Sequence, residues 1–447
     1  MSVPDPTALG AEMLALMHEL WDHPRSLTGD GVRRTLAGLD GHVAVEMHEV
    51  PTGAHLYDWT VPEEWTLRRA WIDGPDGRRI ADTAEGALHV VGYSEPGRHT
   101  LPLAELRGHL HTLPDYPDRV PFRTSYWKRG WGFCVSERTA RSLVEGDYEV
   151  VIDADLAPGS LTYGEAVLPG QGGGEVLIST PICHPGLAND NLSGVALLAV
   201  LARVLSTQAS RWHTYRFLWS PATLGPLAWL AANEANLGKL VAGLSPMCVG
   251  DPGPFTYKAS RRGDTLVDRA ARLALARSGA EHRLLDFVPW GGDERQFCSP
   301  GFDLPVGALM RTPPGHYPEN HTSADDLDFV TEEALGESCR MYLDVIELIE
   351  ADRRFLSTCP KGEPQLGRRE LTNRMGGQKG DDHEMAMFWN LSMADGEHSL
   401  LDATERSGLP VATIRDAAEA LVGAELLRPV ETRPRPVETT GGDAEAA

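Results

Sequence analysis

Short apolar segments and helical patterns alternate along residues 164–354, and this alternation most strongly limits the folds open to the chain. Short runs of apolar and β-branched residues are typical of buried strands, whereas apolar residues three and four positions apart are typical of helices. The alternating segments are 175–180, 192–206, 213–219, 225–236, 245–250, 264–278, 304–310 and 331–350. Such alternation indicates βαβ units and a largely parallel sheet. We therefore predict an α/β fold in which helices flank a mostly parallel sheet.

The residues before this region show two other patterns. A helix is predicted from about Thr7 to Asp22, because Leu9, Met13, Leu16 and Leu20 fall on one face. The stretch that follows, up to about residue 150, is rich in Gly, Pro and aromatic residues and contains short alternating runs. It is predicted to be rich in β-strands.

The C-terminal residues form a separate pattern. Residues 359–364 are typical of a linker, and the pattern over 384–427 predicts helix, turn and helix, as in a winged helix. Such a module often enters the major groove of DNA. Here acidic residues outnumber the arginines, so phosphate binding is poorly supported and a packing or dimerisation role is favoured. Residues 431–447 are predicted to be a disordered tail.

Composition excludes several classes of function. A formal charge of −23 disfavours nucleic acid and anionic membranes as partners and favours cationic or neutral substrates. By pattern, no apolar run reaches the length needed to cross a bilayer, and the N-terminus lacks a signal pattern, so a cytoplasmic protein is expected. The six cysteines show no CxxC pairing. The length of 447 residues predicts two to four domains.

The segment 183–194, Cys-His-Pro-Gly-Leu-Ala-Asn-Asp-Asn-Leu-Ser-Gly, carries the most chemical information. It places His184 and Asp190 in a loop between a predicted strand and a predicted helix. Ligands and catalytic groups collect beyond the carboxyl ends of strands in open α/β sheets. The alternative is that Asp190 or Asn189 only caps the helix and that His184 is an ordinary loop histidine.

Two further side chains of the same type follow later predicted strands. Asp251 ends the apolar run 247–250, and His321 lies shortly after the run 304–309. Histidine and aspartate at successive strand ends form a donor set that suits zinc. We therefore predict a zinc site, holding one or two ions, that draws on His184, Asp190, Asp251 and His321.

The sequence resembles bacterial zinc aminopeptidase-like proteins that carry an inserted PA-like domain and a C-terminal winged helix. The resemblance extends over nearly the whole chain. Its segments are 58–65, 88–94, 131–134, 159–165, 184–194, 293–302 and 321–323. It implies a discontinuous catalytic domain at 1–59 and 151–356, an insert at 60–150 and a winged helix at 363–430.

The resemblance also assigns roles to the four predicted ligands. It implies that His184 is a zinc ligand, that Asp190 is able to bridge two metals, and that Asp251 and His321 each bind at one metal. The chain departs from the family at Ala222, where related proteins place a glutamate that serves as general base or metal ligand. Alanine can neither bind a metal nor accept a proton.

Three interpretations of Ala222 remain open. Another carboxylate could replace the glutamate, with Glu294 the first choice and Asp293, Glu165 and Glu319 the other candidates. The site could hold a single metal with a water position. The chain could also have lost hydrolysis and kept the fold as a binding protein.

Each supporting residue has a simpler interpretation. Asp293 and Glu294 could cap a helix beginning near Arg295. Glu165 could pair with a buried arginine instead of contacting substrate. Arg261 and Arg262 are candidates for binding a substrate carboxylate, although a surface position is favoured.

The predicted function is zinc-dependent hydrolysis of an amide bond next to a free amine in a small peptide or amine-bearing metabolite. Two rivals stay open: a non-catalytic binding protein, and an amidase or transferase in polysaccharide or natural-product biosynthesis. No membrane partner is expected, and a homo-oligomer is compatible with the sequence.

Overall fold

The computed structural model describes residues 4–371 and 381–430. The helices are α1 (Pro6–Leu20), α2 (Asp30–Ala37), α3 (Leu103–Leu106), α4 (Glu137–Arg141), α5 (Ser193–Ser206), α6 (Leu224–Asn233), α7 (Leu266–Ser278), α8 (Glu294–Phe297), α9 (Glu332–Glu350), α10 (Asp382–Met393), α11 (Leu400–Ser407) and α12 (Val411–Gly423). The tail predicted to be disordered, 431–447, lies outside the described residues.

The strands are β1 (Glu46–Pro51), β2 (His55–Leu56), β3 (Trp59–Thr60), β4 (Glu64–Asp73), β5 (Arg79–Asp82), β6 (Gly97–Pro102), β7 (Leu110–His111), β8 (Phe133–Cys134), β9 (Asp147–Ala157), β10 (Ser160–Leu168), β11 (Glu175–Pro181), β12 (Thr214–Ser220), β13 (Leu240–Leu244), β14 (Phe255–Lys258), β15 (His282–Leu285), β16 (Val306–Met310), β17 (Arg354–Ser357), β18 (Asp395–Ser399) and β19 (Leu427–Pro429).

The central sheet has eight strands in the order β1-β10-β12-β11-β13-β16-β14-β15. Its middle is parallel, since β11 pairs in parallel with β12 and β13, and β13 pairs in parallel with β16. Antiparallel pairs join β1 to β10 and β10 to β12 on one side. The predicted α/β fold with a mostly parallel sheet is confirmed.

One predicted strand is displaced along the chain. The run 245–250 was expected to form a strand ending at Asp251, but the strand is β13, which ends at Leu244. Ser245 and Pro246 follow; a proline has no N–H to donate to a sheet, and the Pro246 carbonyl accepts the Thr180 hydroxyl at 2.9 Å. Asp251 therefore follows a buried irregular segment and not a strand.

Helix α5 forms the centre of one face of the sheet and packs against α1 and α9. The helical segment Ala188–Ser206 is long and apolar enough to cross a membrane, which the sequence pattern did not indicate. Its most apolar window is 94% buried within the fold, as in a core helix. Asn189, Asp190 and Asn191 at its start interrupt the apolar run in the sequence.

The inserted region is built on a four-stranded sheet in the order β5-β4-β9-β6. Strand β9 runs to Ala157, so the boundary expected at 150 falls inside it. The insert shares a continuous apolar core with the other face of the central sheet, where Trp65 and Phe133 belong to the same cluster as Trp229 and Phe297.

The winged helix contains α10, α11, α12 and a small sheet in the order β18-β17-β19. Strand β17, expected to belong to the catalytic domain, pairs antiparallel with β18 and β19. The module therefore starts near Arg354 and not at 363. The sequence did not show this, because both partners of β17 lie about 40 to 75 residues further along the chain.

Candidate active site

His184 lies in the loop after β11, beyond the carboxyl end of the parallel part of the sheet. The fully buried Arg25 holds this loop: its Nε donates to the His184 carbonyl at 2.8 Å, and its Nη1 donates to the Leu20 carbonyl at 2.6 Å. Arg25 thus ties the His184 loop to the end of α1. No local pattern in the sequence indicated this contact.

Asp190 lies in the tight turn Ala188–Leu192 that leads into α5. The carboxylate of Asp325 fixes this turn by accepting the backbone N–H of Asn189 at 2.6 Å and of Asp190 at 3.0 Å. Burial raises the pKa of Asp325 to about 7. No local pattern in the sequence indicated this role, because the partners of Asp325 lie about 135 residues away.

His321 is positioned by the insert. The Phe122 N–H donates to the His321 carbonyl at 2.8 Å, and the Ser323 N–H donates to the Val120 carbonyl at 2.8 Å. The Phe122 ring also packs edge-on against the rings of both His184 and His321. The insert therefore shapes the site directly.

Three of the four predicted ligands converge. The Nε2 atom of His321 lies 3.0 Å from Oδ2 of Asp190, and Nδ1 of His184 lies 3.6 Å from Oδ1 of Asp190. Burial lowers the pKa of His184 to about 4. Burial also acts to raise the pKa of Asp190, but the neighbouring His184 and His321 hold it at about 2.

Asp251 does not join this group. Its Oδ1 accepts the Thr312 hydroxyl at 2.6 Å and the Gly253 N–H at 2.9 Å. Its Oδ2 accepts the Asn189 side-chain amide at 3.1 Å and the Thr312 N–H at 3.2 Å. Because both oxygens are engaged within the fold, Asp251 supports the Asn189–Asp190 turn in this structure, and its role as a metal ligand stays a prediction that this geometry does not favour.

His184, Asp190 and His321 line a cavity of about 510 Å³, and Ala222 and Asp293 line the same cavity. Asp293 is completely buried, and neither of its carboxylate oxygens makes a hydrogen bond to a described residue. Burial and the neighbouring Glu294 charge raise the pKa of Asp293 to about 8, against an opposing effect of Arg295.

Glu294, the first choice for proton transfer, points elsewhere. It is completely buried and forms an ion pair with Lys258 of β14, whose Nζ also donates to the Trp290 carbonyl at 2.7 Å. Glu294 is not among the residues that line the cavity. Its neighbour Asp293, another of the predicted candidates, does line the cavity.

The two predicted substrate contacts also lie away from the cavity. Glu165 accepts the Trp229 indole N–H at 2.6 Å and pairs with Arg216 at 2.8 Å, which matches the simpler interpretation. Arg262 lies at the surface, 3.8 Å from Asp303. Neither residue lines the cavity, so neither is placed to contact substrate there.

A larger cavity of about 760 Å³ lies between the insert and the end of α1. None of His184, Asp190, His321 and Asp293 lines it. Size alone would favour this cavity, but the titratable side chains converge on the smaller one, so we assign the candidate active site to the smaller cavity.

The residues can be tested against the metal that the resemblance implies. Within 4–371 and 381–430, no group of three or more His, Cys, Asp or Glu side chains is arranged as a ready-made metal site. However, His184 Nδ1 and Asp190 Oδ1 face each other, are buried, and make no hydrogen bond. This is about the spacing of two ligands that share one zinc ion. With His321 beside them, these donors fit one metal; a second does not fit, because Ala222 offers no donor and Asp251 is engaged.

Removing the buried carboxylate should stabilise the metal-free protein. Unfolded aspartate has a pKa of about 3.9, and the folded value is about 8. The folded state therefore binds more protons between these values, and its stability falls as pH rises from about 4 to 8. We expect Asp293→Asn to raise the melting temperature by several degrees at pH 8 and by little at pH 4.5. Asp115→Asn, at an exposed position, removes the same charge and should leave the melting temperature unchanged at both pH values. Equal shifts in melting temperature in the two variants would contradict a raised pKa for the buried Asp293.

The comparisons with known proteins agree with this architecture. The family model described as "Domain of unknown function (DUF4910)" matches residues 14–352, and a model described as "winged helix-turn-helix" matches residues 353–429. The second match starts where β17 begins the small sheet. The predicted boundary at 363 was therefore about ten residues too late.

Three relatives illustrate the likeness. A Clostridium acetobutylicum protein named "Putative polysaccharide biosynthesis protein with aminopeptidase-like domain" is 44% identical over 422 residues, covering 94% of this chain and 96% of the relative. The crystal structure of a "putative peptidase" from Clostridium acetobutylicum has a TM-score of 0.88 at 44% identity and covers 95% of this chain and 97% of its own. A zinc aminopeptidase from Bacillus subtilis has a TM-score of 0.56 at 13% identity, covers 77% of this chain and 95% of its own, and shows the shared fold. The chain therefore belongs to the DUF4910 family, has an aminopeptidase-like fold, and ends in a winged helix.

Proposed function

We propose that the protein is a metal-dependent amide hydrolase that cleaves the bond beside a free amine in a small peptide or peptide-like metabolite. One observation carries this proposal. His184, Asp190, His321 and Asp293 come from three distant segments of the chain and line one cavity at the carboxyl ends of the parallel strands. Titratable groups with shifted pKa values that share a cleft are typical of catalytic sites.

His184, Asp190 and His321 would hold a single zinc ion. When bound there, zinc supplies a Lewis acid that polarises the scissile carbonyl and lowers the pKa of its water. The protein's own contribution is to keep these side chains in place through Arg25, Asp325 and the backbone of Phe122. Such supporting contacts fix the orientation of the ligands.

Asp293 is the proton-transfer group in this proposal. It lines the same cavity as Ala222, the position at which the resemblance implies a glutamate. Its carboxylate oxygens make no hydrogen bond within the described residues, so they are free to accept a proton from the attacking water and to return it to the leaving amine. A pKa near the working pH suits this exchange in both directions.

The walls of the cavity limit the size of the substrate. Tyr126 and Trp127 of the insert line the cavity, together with Pro314 and Gly315. A volume of about 510 Å³ suits a molecule of the size of a dipeptide or a modified sugar. A folded protein or a long peptide would not enter.

A second candidate is favoured by the name of the Clostridium acetobutylicum relative, which refers to polysaccharide biosynthesis. In this case the amide would belong to an amino sugar. A panel that contains both aminoacyl amides and N-acylated amino sugars separates the two candidates by the class that is turned over.

The test is turnover by the purified chain loaded with zinc. We expect hydrolysis of at least one class in the panel and its loss in His184→Ala. Absence of turnover together with ligand-induced thermal stabilisation would instead favour the non-catalytic binding protein that Ala222 suggests. Full activity in His184→Ala would refute the proposal.

We also propose that the winged helix serves packing and not DNA binding. Arg269 of α7 pairs with Asp402 at 2.7 Å and with Glu405 at 2.6 Å, and Arg277 donates to the Leu409 carbonyl at 2.8 Å. The helix-turn-helix thus faces the domain that carries the cavity. Residues 381–430 contain three arginines and no lysine against ten carboxylates.

This packing predicts a negative result with nucleic acid. Because affinity for DNA comes largely from neutralising phosphates, we expect no duplex binding tighter than about 100 μM at physiological salt. Fluorescence anisotropy with a labelled random duplex measures it. Binding that weakens steeply as salt rises would contradict this role for the module.

A further inference from the structure

Arg295 is a cationic side chain of the cavity for which the proposed mechanism has no use. It follows Asp293 and Glu294 at the start of α8, is half-buried, and lines the cavity. Across the described residues it forms no ion pair and no hydrogen bond, and its Nε atom is buried without a partner. Its neighbour Glu294, in contrast, is paired with Lys258.

Carboxylates that could serve as a counter-ion are plentiful in this chain. The sequence carries 64 aspartates and glutamates against 41 lysines and arginines, so carboxylates are in excess. Arg261 and Arg262, which the sequence made candidates for anion binding, both pair with Asp303. Leaving a buried guanidinium N–H without an acceptor costs free energy, which indicates that its partner comes from outside the chain.

The charges around the cavity make Arg295 distinctive. Among the described residues that line it, Arg295 is the one lysine or arginine. Asp190 is engaged with His321 and Asn320, and the charge of Arg295 acts on the nearby Asp293 without a hydrogen bond between the two side chains. A guanidinium in this position can bind a carboxylate or phosphate through two parallel hydrogen bonds.

Three tryptophans surround the same opening. Trp59, Trp127 and Trp290 line the cavity and are 38%, 57% and 61% exposed. Trp59 and Trp127 also contact each other edge to face at 5.2 Å. Large exposed apolar side chains that converge on one opening mark a ligand site, since a bound molecule would cover them. Their low polarity would strengthen an ion pair at Arg295 by excluding water.

We propose that Arg295 recognises an anionic group of the substrate, so that the molecule cleaved carries a carboxylate or a phosphate in addition to its free amine. That the bound molecule is a substrate rests on the proposed function, whereas the binding of an anion at Arg295 does not. It makes Arg295 a determinant of specificity within the same cavity.

A simpler role for Arg295 is to adjust the charge of Asp293 without touching any ligand. That role would change the binding of charged and neutral ligands alike. A difference in affinity between an anionic ligand and its neutral counterpart therefore indicates that Arg295 contacts the anion directly. The test is carried out with Asp293→Asn, which removes the carboxylate and prevents turnover of the probes.

The probes are two matched pairs, leucyl-glycine with its C-terminal amide and glucosamine 6-phosphate with glucosamine, and binding is measured by calorimetry on the full zinc-loaded chain. We expect the anionic member of one pair to bind at least about tenfold more tightly than the neutral member. The pair that shows this preference identifies the anion as a carboxylate or a phosphate.

Replacing Arg295 then separates the outcomes. Arg295→Gln should remove the preference, Arg295→Lys should keep part of it, and the surface variant Arg262→Gln should leave it unchanged. No preference in either pair, no binding by any probe, or a preference that survives in Arg295→Gln would overturn the inference. A clear preference without amide hydrolysis by the wild type would overturn the proposed function and leave the anion site standing.

Discussion

Asp293→Asn is expected to lower kcat by about 10² to 10⁴, with a much smaller change in KM. The reason is that asparagine keeps the volume of the side chain but cannot accept the proton from the attacking water. Steady-state kinetics on the best substrate of the amide panel measure the effect. Asp115→Asn, which removes an exposed carboxylate far along the chain, is the matched control and should keep full activity.

Ala222 provides a reciprocal test of the same role. Ala222 and Asp293 line the same cavity, so a glutamate at 222 could take over proton transfer when Asp293 is absent. We expect Ala222→Glu to recover part of the activity of Asp293→Asn and to add little to the wild type. A large gain from Ala222→Glu alone would instead show that the chain is a decayed peptidase in which Asp293 has no catalytic function.

Loss of the metal should abolish activity almost completely. We expect the wild-type chain to bind about one zinc ion, and His184→Ala and His321→Ala to lower both metal content and kcat/KM, the latter by roughly 10³ or more. Dialysis against a chelator should have the same effect, and added zinc should reverse it. Elemental analysis of the dialysed proteins gives the metal content.

Asp251 supplies the control for this prediction, because it is an aspartate next to the site whose oxygens are already engaged. Asp251→Asn should still bind one zinc ion, yet it should unfold at a lower temperature because it weakens the hydrogen bonds to Gly253, Thr312 and Asn189. Loss of zinc in this variant would show that Asp251 is a ligand after all.

The sequence predicted the parts of the site that depend on local pattern. His184 and Asp190 share one strand–loop–helix segment, so the strand and helix patterns on either side of the loop predict that they lie close together. His321 was predicted from its position after a buried strand and from the family resemblance. The α/β class follows from the same alternation of strands and helices and is confirmed by the sheet order.

The remaining errors come from interactions between distant residues. Asp251 was misplaced because Ser245 and Pro246 end the strand early, and because Thr312, which engages its oxygens, lies 61 residues away. Asp293 and Glu294 are adjacent in sequence, and only the position of Lys258 in the fold shows which of them forms an ion pair.

The supporting residues carry no local signal at all. Arg25 reaches the His184 loop from the end of the first helix, across 159 residues of sequence. Asp325 reaches the Asn189–Asp190 turn in the same way. Buried polar side chains of this kind form hydrogen bonds with backbone groups, and no periodic pattern in the sequence identifies those groups.

The central claim, a single metal held by two histidines and one aspartate, is tested most directly by anomalous diffraction at the zinc edge from crystals of the zinc-loaded chain. We expect one anomalous peak, within bonding distance of His184, Asp190 and His321, with Asp293 facing it across the cavity. Two peaks, a peak bound by Asp251, or no peak near these three side chains would contradict the account.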